Sequence, residues 1–433
     1  MRVVPDPYLP GHGDLRYAVE HYDLALDYRL TTNRLDAVAT LRVVAREATD
    51  TLRLDLSGLH VSRVRVGGAK PKKYTHKDRV LTLKLAHPLA AGEPTTVEVA
   101  YAGKPGPVPG AHGPAGWEEL TDGVLVASQP YGAPSFYPCN DRADDKASYR
   151  IAVTTDPEYA VVATGRPTGT STRAGRTTWV FEEAAPTASY LVSIVIGRLA
   201  AEPLPGSGGR VTLHRPRGRA VPPASPLLRL PAMLDALEGW FGPYPLPDFR
   251  AVVVDEPLEI PLEAQGMASF GTNHLVDDWD NERLVVHELA HQWFGNKVTS
   301  GLLRDIWLHE GFACYAEWLW SPVAGSESTD ARARHNWSRL AALPQDLVLA
   351  APGPKDMFDD RVYKRGALTL HALRGEVGDD TFFAILKGFA GRHQHGSVTT
   401  ADFEALAARV TGRRLTDLFD AWLRSPALPQ LGA

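Results

Sequence analysis

The sequence predicts an α+β chain of two domains, an all-β domain first and a mixed helix-and-strand domain second. Three observations predict it. In the first half apolar side chains alternate with polar or small ones, as in Leu24, Leu26 and Tyr28, then Leu52, Leu54 and Leu56, then Leu81, Leu83 and Leu85, then Val97, Val99 and Tyr101. Further on the apolar period becomes helical, as in Leu227, Leu230, Leu234, Leu237 and Phe241. Between the two patterns lies a connection rich in proline and glycine, Pro203-Leu204-Pro205-Gly206-Ser207-Gly208-Gly209. The expected domains are therefore 1–202 and 203–433, and a length of 433 residues suits two or three domains.

Taken in order, the first domain reads as strands separated by Gly67-Gly68, Ala91-Gly92 and the prolines Pro105 and Pro107. Ile151 and Val153, Trp179 to Phe181, and Tyr190 to Ile196 continue the strand character, which fades after Gly197. A sandwich or saddle is expected. Ser225-Pro226 reads as the cap and first position of a helix that closes at Phe241-Gly242-Pro243-Tyr244-Pro245. Ala251 to Val254 reads as a short buried strand. Asp280 is the expected cap of the next helix, with Glu282 in its first turn, Leu284, Leu289 and Phe294 facing inward, and Gly295-Asn296 as its stop. Arg304-Asp305 opens another helix. Phe382 to Phe389, Phe403 to Val410 and Leu418 to Leu423 read as amphipathic helices.

The composition excludes several function classes. A hydrophobic fraction of 44% and a charged fraction of 22% are ordinary for a water-soluble protein. A net charge of −5 gives no electrostatic reason to expect nucleic acid or an anionic membrane as partner. No apolar run is long enough to span a bilayer, and the first residues lack a signal-peptide core, so a cytoplasmic location is expected. The only cysteines, Cys139 and Cys314, fit a reducing compartment and read as buried small hydrophobes.

The chemistry concentrates between His287 and Glu310. His287-Glu288-Leu289-Ala290-His291 places two imidazoles one helical turn apart, on one face. Zinc favours imidazole nitrogen and in catalytic sites takes a third protein ligand while keeping a position for water. Glu310, nineteen residues beyond His291 on a second apolar segment, is the candidate third ligand. Glu288 would face the water. The bland alternative is a surface helix whose polar face carries His, Glu and His. Cys314 and Glu317 fall on the helical face of Glu310, and Glu317 reads equally as an acceptor for a ligand histidine or as a solvated acid.

These words, with "HELAHQWFGN" and "WLHEGFA" around them, resemble the zinc signature of the M1 family of aminopeptidases, in which His309 would usually be Asn. "YAVEHYDLALDY", "YPCNDRADDKASYRIAV" and "FGPYP" are similar to further phrases of that family. The resemblance implies a β domain followed by a thermolysin-like α/β zinc peptidase domain, in a short form without the large C-terminal helical domain of many relatives. It implies one zinc ion on His287, His291 and Glu310, with Glu288 as the general base. It implies that Glu263, which aligns with the Glu of the family's G-A-M-E-N motif although the flanking residues differ, binds the substrate's α-ammonium; Glu256 and Glu259 are rivals for that role. Gln129, in Ser128-Gln129-Pro130-Tyr131, is the implied second contact to the substrate N-terminus, with Tyr131 where the family often has an acid or amide. Tyr363, in "DRVYKRGALTLHAL", resembles the tyrosine of Y-E-K-G-A, which donates to the oxyanion; Lys364 and Arg365 beside it read as surface charges.

The expected activity is removal of N-terminal residues from peptides with a free amine, by a monomer. The alternatives are an endopeptidase or a non-peptide hydrolase, such as one that opens a lipid epoxide, on the same metal site, or a binding scaffold that has lost catalysis.

Overall fold

The computed structural model describes residues 4–432, and the chain divides into two compact units. The first gathers Met1–Glu202, Thr212–Ala220 and Asp248–Asn273; the second gathers Pro203–Val211, Val221–Pro247 and His274–Ala433.

The first unit is built on a seven-stranded sheet. Its strands run in the order Arg166–Arg173, Arg176–Thr187, Ala147–Thr155, Tyr17–Arg29, Arg34–Ala45, Pro94–Gly103 and His60–Val66. All neighbours are antiparallel except Tyr17–Arg29 and Ala147–Thr155, which run parallel with Leu24 opposite Ile151. The alternation seen in the sequence sends Leu24, Leu26, Val97, Val99, Ile151 and Val153 into the core. Leu52, Leu54, Leu81 and Leu83 reach the same core from a three-stranded sheet, together with an aromatic group in which Tyr22 stacks on Tyr149 at 4.9 Å.

Strand structure does not fade after Gly197. Leu199–Pro203 and Val211–Pro216 continue it, in a five-stranded sheet with Phe249–Val253, Met267–Phe270 and Leu262–Ala264. The proline- and glycine-rich connection is the loop between the first two of these strands, with Leu204 N–H donating to Val211 C=O. The strands are short, and the alternation of Val211 and Leu213 with Thr212 and His214 spans only four residues beside the proline- and glycine-rich loop. Tyr190 is also outside any strand, since Ser189–Leu191 form a 3₁₀ turn.

The second unit is helical. Its helices are α1 (Leu230–Phe241), α2 (Trp279–Ala290), α3 (Trp307–Val323), α4 (Thr329–Ala341), α5 (Asp360–Val377), α6 (Asp379–Arg392), α7 (Thr400–Thr411) and the single turn α8 (Thr416–Phe419), which passes into a π turn at Asp420–Arg424. Their core is aromatic: Phe294, Phe312, Phe389 and Phe403 stack against one another with centroids 4.4 to 6.4 Å apart. Ser225 caps a 3₁₀ turn, not α1 itself, and its hydroxyl makes no capping bond. The cap of α2 is Asp278, which accepts from Asn281 N–H, not Asp280, which is exposed. Leu284 is only half buried, whereas Leu289 and Phe294 are fully buried. Asp305 precedes α3 in a 3₁₀ turn and accepts from the backbone and hydroxyl of Thr400.

Lys364 and Arg365 are not surface charges. Both are buried, on α5. Arg365 donates to six backbone carbonyls, those of Leu347, Ala421, Trp422, Ser425, Pro426 and Ala427, and so ties the end of the chain to α5. Guanidinium has five donors in a fixed fork and suits that cluster of orphan carbonyls. Among the described residues no helix is long and apolar enough to cross a membrane.

Candidate metal centre and active site

Helix α2 carries His287 and Glu288 in its last turn and ends at Ala290; His291 follows as the C-cap in helical geometry. Its N–H bonds His287 C=O at 3.1 Å, so the one-turn spacing survives the helix end. Glu310 is the fourth residue of α3. The Nε2 atoms of His287 and His291 lie 3.4 and 3.5 Å from the same Glu310 oxygen. All three residues are buried.

These separations fit a metal better than direct hydrogen bonds. Ligands about 2.0–2.1 Å from a tetrahedral zinc lie about 3.3 Å from one another. The other ring nitrogens are committed. His287 Nδ1 is 2.7 Å from Glu317 Oε1, and His291 Nδ1 is 3.0 Å from Phe294 C=O. A carbonyl and a carboxylate only accept, so both imidazoles carry their proton on Nδ1 and turn an Nε2 lone pair toward Glu310. Glu317 is thus an acceptor behind His287 and not a solvated acid. Burial pushes the Glu310 carboxyl up, and only imidazolium charge on His291 and His287 holds it well below the ordinary carboxylate range; with both rings neutral and their Nε2 lone pairs facing it, that compensation would have to come from a bound cation. Burial likewise opposes charge on Glu317, and Lys364 with His287 and Arg283 overcomes it.

Glu288 is buried, with a carboxylate oxygen within 4.8 Å of a His291 ring nitrogen. Tyr363, in the first turn of α5, lays its ring parallel to His287 with centroids 6.1 Å apart. Two glycines permit this approach. A Cβ on Gly311 would lie 2.7 Å from the Cα of Gly366, so α3 and α5 cross in backbone contact one residue after Glu310 and three after Tyr363. His309 is buried, and its Nε2 accepts from Ser300 N–H at 2.6 Å, which anchors the start of α3 to the strand Thr299–Ser300.

In the first unit, Glu263 lies on the short strand Leu262–Ala264, paired with Ala268. It is buried, and its Oε1 accepts from Gln129 Nε2 at 2.7 Å. The two residues expected to contact a substrate N-terminus therefore meet. Their rivals go elsewhere: Glu256 accepts from Thr121 N–H, and Glu259 is exposed. Tyr131 is occupied by the turn between the strands Val108–Gly110 and Gly113–Leu120, accepting from His112 N–H and donating to Gly113 C=O. What sequence reasoning missed is Lys364, whose ammonium lies 3.3 Å from Cys314 Sγ and 3.7 Å from Glu317. Its helical register beside Tyr363 was the available signal.

The Peptidase family M1 domain matches residues 229–422, and the Peptidase M1 N-terminal domain matches residues 18–191. The chain belongs to peptidase family M1. A crystal structure of an M1 zinc metallopeptidase from Deinococcus radiodurans is 31% identical, covers 99% of both chains and superposes with a TM-score of 0.88. A mutant two-domain M1 zinc metallopeptidase bound to L-arginine is also 31% identical, with a TM-score of 0.89 and 99% coverage of both chains. The chain shares this two-domain form, and zinc is the metal of these neighbours. Human endoplasmic reticulum aminopeptidase 1 is 25% identical over 425 residues, which is 88% of this chain and 44% of that protein. The chain thus spans about half the length of the curated relatives it matches, or less.

Proposed function

We propose that this M1 chain is a zinc aminopeptidase that removes N-terminal residues from peptides. The observation that carries the reading is the convergence of His287 Nε2, His291 Nε2 and Glu310 at tetrahedral-ligand spacing, with both Nδ1 protons held from behind. These three residues would hold the zinc. When bound, the metal would polarise the attacking water and the scissile carbonyl.

The chain's own residues supply the remaining steps. Glu288 takes a proton from the water as it attacks and delivers it to the departing amine. The Tyr363 hydroxyl donates to the carbonyl oxygen as that oxygen gains charge, an interaction stronger in the transition state than in the ground state. Glu263 receives the substrate's α-ammonium through a charge-assisted bond, and Gln129 fixes the carboxylate that does so. No covalent acyl-enzyme is formed. A mutant M1 zinc metallopeptidase from Deinococcus radiodurans has been crystallised with Tyr-Ser-Ala as substrate, and a short peptide with a free amine is the class proposed here.

The test is to digest a pentapeptide with zinc-loaded protein and read the products by mass. Stepwise loss from the amino end, abolished by chelation and restored by zinc, is expected. Internal cleavage as the first event would instead mean an endopeptidase.

A further inference from the structure

The Glu317 carboxylate is divided between two tasks. Oε1 lies 2.7 Å from His287 Nδ1, while Oε2 faces two cations, Arg283 at 3.5 Å and Lys364 at 3.7 Å. Glu317 is buried, and so is Lys364, whose Nζ also donates to Cys314 Sγ at 3.3 Å. A buried carboxylate oxygen without a partner is costly, and so is a buried ammonium. Each offsets the other. Paired in this way, Oε2 cannot swing toward His287, and Oε1 stays aligned with the imidazole N–H. Arg283 contributes less, because it is partly exposed and shared with Asp280.

Lys364 is also the residue after Tyr363 on α5. One turn of that helix therefore presents a ring to His287 on one side and a counter-charge to the acceptor of His287 on the other.

We propose that Lys364 is a positioning residue for the metal site: its ammonium fixes Glu317 as the acceptor for His287 and thereby strengthens zinc binding. It touches neither metal nor substrate. The inference rests on the reading of His287, His291 and Glu310 as the ligands.

The experiment measures zinc affinity by competition with a chelating dye, at fixed pH, for the full chain and its variants. Partners that hold ligand histidines contribute roughly 10–100-fold to metal affinity. Glu317→Gln should weaken zinc about tenfold or more, and Lys364→Met on the order of tenfold. Lys364→Arg, which keeps the charge, should stay within about threefold. In a Glu317→Gln background, Lys364→Met should add less than about twofold, because residues acting through one another are not additive.

Wild-type affinity in Lys364→Met would overturn the proposal. So would a loss equal in both backgrounds, or a loss as large in Lys364→Arg, since either is the mark of a merely structural role. Should Lys364→Met fail to fold, Arg283→Met provides a second test. It lies at the rim of a cavity of about 320 Å³ that Glu317 and Lys364 also line, so truncation there leaves room for water. Arg283→Met is expected to weaken zinc in the same direction by a smaller factor, and no change would count against the proposal. His291→Ala checks the ligand set separately: retained zinc affinity in that variant would overturn the ligand reading, whatever Lys364 does.

Discussion

Glu317, behind the metal ligands, and the buried acids of the β unit meet burial in opposite ways. Glu317 is deeply buried, yet Lys364, His287 and Arg283 hold it below the ordinary carboxylate range. In the β unit, burial raises Asp55, with the charge of Asp141 adding to it, and pushes Glu183 up to about 7 despite Arg250 nearby. Burial by itself disfavours charge in both places. What differs is the number of facing cations: Glu317 has Lys364, His287 and Arg283, whereas Glu183 has Arg250 alone, opposed by Asp248.

Substitutions can break or sharpen this contrast. The largest effect is expected from Glu288→Gln, which removes the proton carrier but leaves His287, His291 and Glu310 in place. kcat should fall by about 10²–10⁴ while zinc content stays at wild type, checked by metal analysis beside peptide hydrolysis. Tyr363→Phe comes next. Loss of one donor to a developing oxyanion typically costs about 10²–10³ in kcat, and KM should change little.

Glu263→Gln is expected to lower kcat/KM for peptides with a free amine by roughly 10–100-fold, the scale of a charge-assisted hydrogen bond, with zinc affinity untouched. A simultaneous loss of zinc would show that Glu263 belongs with the metal ligands and not with substrate recognition.

In the β unit the expected effect is on stability and not on catalysis. Glu183 has a folded-state value near 7 against an ordinary 4.5. Its contribution to stability is therefore present in full below about pH 4.5 and is lost as pH rises through about 7. Glu183→Gln should match wild type at pH 4, and above pH 7 exceed it by up to a few kcal/mol, read from urea unfolding midpoints. The reverse pH dependence would remove the contrast with Glu317.

The sequence carried much of this, because the strongest signals are local. Alternation at Leu24 to Tyr28 or Val97 to Tyr101 depends only on which sheet face meets the core. The spacing of His287 and His291 depends only on one helical turn. Asp278 and Asp280 are both plausible caps, and the choice between them turned on where the chain enters α2. The strands Leu199–Pro203 and Val211–Pro216 are hard to read from sequence because they are short and flank a loop of proline and glycine. Lys364 and Arg365 were misplaced because a run of cations on a helix is usually solvated. Their partners, Glu317 and a set of carbonyls near the chain's end, are distant in sequence. The same distance left Glu317 undecided between acceptor and solvated acid. Glu263 and Gln129 were legible only through resemblance, since a lone glutamate and a lone glutamine carry no pattern.

The most direct test of the central claim is paired hydrolysis of one dipeptide-like reporter, with free and with acetylated N-terminus, by protein of measured zinc content. The account predicts cleavage of the free form alone, dependent on one zinc per chain and abolished by a chelator. Equal cleavage of both forms would contradict the role of Glu263 in reading a free amine, and cleavage that survives complete removal of zinc would contradict the metal site itself.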